Sequence, residues 1–285
     1  MIYILLSISL SSLIVIAFKI FTRFGISNLQ AIIVNYIVAA VLGFSLSGSF
    51  SDIPAAVFEP WFIYALLIGF FLMFVFNVYA VSAQKAGIAL TAVSGKMSVV
   101  IPVVAGAIIY NETMGWIRIA GIVTALLALY LTFKSKEKRV YNPWTFVLPA
   151  ILFLGTGTND SLLNYAQRKL IHGDQMYFLS VCFLISLIFG LLFLLGKSFF
   201  KPEKFVLKNI VGGVILGLLN FGSTYYFLVC LGLYESSVFF PVFNVSIVSI
   251  AALAGYFIFK EKLSLINRIG IGLAAGAIII IAITA

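Results

Sequence analysis

Glu112-Thr113-Met114-Gly115-Trp116-Ile117-Arg118-Ile119-Ala120-Gly121-Ile122 returns near the other end of the chain as Glu261-Lys262-Leu263-Ser264-Leu265-Ile266-Asn267-Arg268-Ile269-Gly270-Ile271. In both stretches an acidic residue closes one apolar run, and a glycine follows nine positions later inside the next. Self-similarity over roughly half of an apolar chain points to a membrane carrier built from two related bundles.

The surrounding sequence sets the class. Of 285 residues, 63% are apolar and only 9% charged, and the mean hydropathy is +1.18. An ordinary soluble domain carries about a quarter charged residues. A transmembrane helix needs about 20 mainly apolar residues to cross the hydrocarbon layer. Ten runs meet or approach that length: 2–21, 28–48, 61–83, 88–109, 116–134, 144–166, 175–196, 207–230, 236–259 and 264–284. Met1–Phe18 lacks both the basic start and the Ala-x-Ala site of a cleaved signal peptide, so it reads as the first permanent span. Lys134-Ser135-Lys136-Glu137-Lys138-Arg139, followed by Asn142-Pro143, is the one linker-like joint. It divides the chain into halves 1–139 and 140–285.

Basic residues are unevenly shared between the two sides. Fourteen fall in alternate loops, among them Lys19, Arg23, Lys85 and Lys208; only Arg118, Arg168 and Lys169 fall on the other side, and Lys96 lies inside a span. The positive-inside rule then places the central joint in the cytoplasm and both termini outside, with a bacterial cytoplasmic membrane as the expected location. Five spans per half make the second half enter from the opposite side, so the expected fold is all-α: ten transmembrane helices in two inverted five-helix repeats.

Several function classes are disfavoured. The net charge of +9 is what short cytoplasmic loops require, and no basic stripe interleaves with aromatics, so nucleic acid is not an expected partner. His172 is the single histidine, and Cys182 and Cys230 lie inside apolar runs; ligands for a usual metal site are lacking, and no cofactor is expected. An intramembrane hydrolase needs a nucleophile with histidine, paired acids or a metal. A channel favours rings of repeated polar groups. No nucleotide-binding loop is present, so a gradient must supply the energy.

With the duplicated signature, the five-plus-five layout and the Gly-rich fifth and tenth runs in view, the chain resembles the drug/metabolite transporter superfamily, in its ten-helix EamA-type branch. The resemblance covers essentially the whole chain. It implies a central cavity lined by helices 1, 3, 4, 6, 8 and 9, with 5 and 10 peripheral. It also implies small organic substrates such as amino acids, nucleosides, sugar derivatives, phosphorylated metabolites or drugs. Family members often place glycine before the signature acid; here Asn111 and Lys260 stand there.

Ionisable groups inside a span are costly unless they face water or a partner, and so mark candidate sites. Lys96, with Gly95 and Ser98 leaving room beside it, is the candidate anchor for a carboxylate or phosphate; a structural pairing is its alternative. Asp160, deep in the sixth run, is a candidate for binding an ammonium or exchanging a proton. Counted along their runs, it lies about 12 Å further from the cytoplasmic side than Lys96, which argues against direct contact. Asn77, Tyr79, Asn220, Tyr225, Tyr226 and Asn244 form the uncharged candidate set, with interhelical hydrogen bonding as their alternative. When the signatures are aligned, Gly95 meets Asn244 and Lys96 meets Val245. Chemistry is therefore expected where the repeats differ. Pro102 and Pro241 are possible bends, whereas Glu112 and Glu261 read as scaffold acids complementing helix N-termini.

The expectation is a secondary carrier, an exporter or exchanger working by alternating access on a small polar metabolite with an anionic group, such as an amino acid, as monomer or homodimer in the bilayer. A flippase for a lipid-linked substrate is the alternative, and a side opening toward lipid would favour it.

Overall fold

A computed structural model describes residues 2–85, 94–112, 114–133, 144–198, 206–258 and 264–283. Ten α-helices occupy these residues, one on each apolar run: α1 (Ile2–Phe24), α2 (Asn28–Ser47), α3 (Phe62–Lys85), α4 (Val100–Tyr110), α5 (Trp116–Phe133), α6 (Trp144–Lys169), α7 (Gln175–Ser198), α8 (Leu207–Leu233), α9 (Ser236–Phe257) and α10 (Leu265–Ile283). A 3₁₀ segment, Phe50–Phe58, lies between α2 and α3, and no strand occurs among the described residues. The helical turn 94–97 precedes α4. Among the described residues, five helices are long and apolar enough to cross a membrane, namely α2, α3, α7, α8 and α9. This fits an α-helical membrane protein. Large apolar side chains such as Trp116 (87% exposed) and Ile108 (73% exposed) lie on the surface, where lipid, unlike water, accommodates them.

Local chemistry sets the helix ends. Gly25 and Gly48 leave α1 and α2 in the left-handed conformation, at φ +58° and +70°. Asn111 does the same after α4, at φ +53°. Asn is the non-glycine residue best suited to that geometry. Asp174 starts α7 by accepting the amides of Met176 (2.8 Å) and Tyr177 (3.2 Å) on Oδ1. Ser264 and Asn267 form a reciprocal cap on α10, with Asn267 N–H donating to Ser264 Oγ (3.3 Å) and Ser264 N–H to Asn267 Oδ1 (3.1 Å).

The chain forms two compact units, 1–73 with 165–232, and 74–164 with 233–285. Each draws on both sides of the joint near residue 140. In the first unit α8 packs closely on α2. A Cβ at Gly213 would fall 2.7 Å from the Ala31 carbonyl oxygen, and one at Gly217 would fall 2.9 Å from that of Asn35. Both positions require glycine. Tyr36 and Phe183 join α2 to α7 at a ring separation of 6.2 Å.

In the second unit α5, α9 and α10 share a core containing Ala125, Ala128, Leu129, Val245, Ala277 and Ile281. Small residues let the α5 and α10 backbones approach, and Gly121 leaves the space that Ile281 fills. The signature glycine is thus a packing residue.

Candidate functional site

Lys96 stands at a fault in its helix. Pro102 has no N–H to give the Ser98 carbonyl, and Ile101 N–H donates there instead, at 2.9 Å. One step earlier Val99 N–H points to the Lys96 carbonyl, at 3.4 Å. That leaves the Gly95 carbonyl to the Ser98 hydroxyl, which reaches it at 2.6 Å. The fourth run is therefore a helical turn bearing Lys96, a tight turn at Ser98–Val99, and then α4. The proline does more than bend the helix. It shifts the local bonding from i+4 to i+3 spacing within one turn of the lysine.

α6 lies beside this segment. Leu152 approaches Gly95, and Ile101 presses on Gly157, where an added Cβ would lie 2.7 Å from that of Ile101. Residue numbers rise together in the two contacts, so the helices run in the same direction. Taking Ile101 level with Gly157, Asp160 stands about 12 Å along the axis from Lys96 at 1.5 Å per residue. The two charges nevertheless interact electrostatically. Both residues are half-buried. Asn159 hydrogen-bonds to Asp160. Its own Oδ1 is buried without a hydrogen-bond partner.

The remaining candidates divide between the two units. Asn77 is half-buried and Tyr79 exposed; both belong to the second unit, at the far end of α3. Asn244, 7% exposed in α9, donates Nδ2–H to the Phe240 carbonyl at 3.0 Å. That bond ties it to its own helix rather than to a neighbouring one. Asn220, Tyr225 and Tyr226 belong to the first unit. Asn220 Oδ1 accepts from Thr224 Oγ1 at 3.3 Å. Tyr226 stacks on Tyr3 (6.0 Å) and meets Tyr225 edge-on (5.4 Å). The side chain of Lys19, together with Glu261 and Lys260, lies outside the described residues.

A second polar cluster has no counterpart in the sequence reading. Glu112 serves a helix start distant in the sequence. Its carboxylate, buried to 9% exposure, accepts the backbone amides of Ser236 (2.8 Å) and Ser237 (3.0 Å) and so caps α9. Arg118 pairs with Glu235 and donates to Ser237 Oγ at 3.1 Å. Asn164 donates to Ser236 Oγ at 2.6 Å. Gly106 leaves room for Ser236, which a Cβ would meet at 2.6 Å. The expected complement between acid and helix N-terminus is present, but it joins segments more than a hundred residues apart. Only the Ser236-Ser237 pair heading the ninth run could have signalled it.

No family model matches the chain. It is 26% identical over 261 residues to an uncharacterized protein of Haemophilus influenzae, covering 87% of this chain and 86% of that one. It also shares its fold with a protein of known crystal structure, at a TM-score of 0.79 and 13% identity, over 100% of this chain and 96% of the other.

Proposed function

We propose that the chain is a ten-span secondary carrier of the EamA type, built from inverted repeats in a bacterial cytoplasmic membrane. It moves a small polar metabolite bearing an anionic group by alternating access, as monomer or homodimer. The observation that carries this reading is a lysine and an aspartate held in an apolar bundle, electrostatically coupled but offset along their helices, beside a break in the helix ladder. Charges in such surroundings are costly unless they serve a ligand or a partner. A helix fault beside one of them supplies backbone that can shift when the site changes exposure, as discontinuous helices do in other carriers. Lys96 holds the anionic group, Asp160 faces the other end of the substrate, and Asn77, Tyr79, Asn220, Tyr225, Tyr226 and Asn244 are the uncharged candidates for lining the path.

The test is metabolite profiling, inside and outside, of cells overproducing the protein beside cells producing Lys96→Ala at equal membrane abundance. The expected result is a redistribution of one metabolite class by the wild type only. Indistinguishable profiles for the two proteins would contradict the role of Lys96.

A further inference from the structure

We propose that the corner where α1 ends and α2 and α8 begin is a headgroup site for an acidic phospholipid, with Arg23 and Lys208 holding the phosphate. Such a site is independent of the carrier reading and needs only that the helices sit in a bilayer.

The corner is fixed on every side. Gly25, at φ +58°, ends α1, and Ile26 N–H returns to the Phe21 carbonyl at 2.9 Å, as in a Schellman turn. The turn into α2 is then tied to α8. Ser27 N–H donates to Asn209 Oδ1 at 3.1 Å, and buried Asn209 donates Nδ2–H to Gln30 Oε1 at 2.7 Å. Gly212 lets α1 approach, since an added Cβ would lie 3.2 Å from the Phe21 ring and 3.3 Å from Ile26. All of these residues belong to the first compact unit.

Two exposed cations stand on this frame. Arg23 lies in the last turn of α1. Lys208, at the start of α8, donates from Nζ to the Phe24 carbonyl at 3.0 Å. An ammonium has three hydrogens, so capping α1 occupies one and leaves two for a ligand. Arg23 adjoins Phe24 in the chain, and a guanidinium reaches about 7 Å from its Cα, as bond lengths dictate. Both cations therefore come within range of one phosphate group. Acids are far away: the described ones of this unit, Asp52, Glu59 and Asp174, gather around Tyr177. Asp52 follows the other end of α2, about 30 Å from the corner at 1.5 Å per residue.

Neighbouring apolar groups favour a lipid over a free anion. Phe24 is 64% exposed and Leu207 73% exposed, each next in sequence to one of the cations. A phospholipid puts its phosphate on the charges and its glycerol and upper acyl carbons on these two side chains; a free phosphate uses the charges alone. Under the orientation expected from the loop charges, the corner meets the cytoplasmic leaflet, whose acidic headgroups attract basic residues.

The experiment titrates purified full-length protein in detergent with phosphatidylglycerol or phosphatidylcholine of identical acyl chains, and reads bound lipid by native mass spectrometry. Phosphatidylcholine carries the same phosphate, offset by its own ammonium. The expected result is a first phosphatidylglycerol bound more tightly than the first phosphatidylcholine by about tenfold or more, and not displaced by millimolar inorganic phosphate. Arg23→Gln and Lys208→Gln should each weaken it about fivefold, the worth of one basic residue near an acidic surface. The double variant should bind the two lipids alike. Arg268→Gln, at an exposed arginine of the other unit, should keep the wild-type preference. Equal wild-type affinity for the two lipids would overturn the proposal, as would a preference that survives in the double variant or displacement by inorganic phosphate. Arg23→Gln leaves the Lys208 cap on α1 in place, and the wild-type comparison needs no variant to fold.

Discussion

At the scale of single residues, Glu112 sits in scaffold, while the proposed chemistry centres on Lys96. Glu112 receives two backbone amides that a helix start would otherwise bury without partners. Glu112→Ala should cost about 2–3 kcal/mol, the scale of charge-assisted bonds lost together with an orphaned buried group. A lowered melting temperature in detergent, with surviving binding in whatever protein remains folded, is the expected outcome. An unchanged melt would contradict the cap. Asn111 makes a finer case. At φ +53°, Asn111→Gly should be neutral or stabilising, whereas Asn111→Val should cost about 1–2 kcal/mol from Cβ crowding in the left-handed region. Equal melts for the two variants would show that the turn relaxes. Lys96 and Asp160 were legible because ionisable residues are scarce in an apolar chain. The target of Glu112 was not, because a carboxylate's sequence neighbours carry no record of a helix start more than a hundred residues away.

At the scale of elements, apolar run length decided nearly everything. The run 28–48 became α2 at Asn28–Ser47, 116–134 became α5 at Trp116–Phe133, and 207–230 became α8 at Leu207–Leu233. In lipid the backbone must satisfy its own hydrogen bonds, so a long apolar run has little choice but to be helical. What run length cannot reveal is an interruption inside a run. Pro102 suggested a bend in the fourth, but the exchange of partners at Gly95, Lys96 and Ser98 depends on a serine hydroxyl standing in for an amide. Pro102→Ala restores the missing donor to Ser98 and should straighten this segment. The expected outcome is a higher melting temperature with slower turnover at unchanged ligand affinity, read by melting, flux and calorimetry. Unchanged flux would show that the fault is not part of the moving machinery. The glycines of α8 work oppositely, holding two helices at fixed close range.

At the scale of the whole molecule, the repeat describes sequence and the compact units describe packing, and the two divide the chain differently. Helices α3 and α6 each pass from one unit into the other along their length. The joint near residue 140 therefore marks the boundary of neither unit.

The central claim is that this bundle moves a metabolite by way of Lys96. Its most direct test is uptake of a fully carbon-13-labelled bacterial metabolite extract into proteoliposomes containing wild-type or Lys96→Ala protein, read by mass spectrometry. The account predicts that a small set of labelled metabolites enters wild-type liposomes above empty ones and fails to enter the variant, with both proteins folded and equally inserted. Equal uptake by the two proteins, or none above empty liposomes, would contradict it.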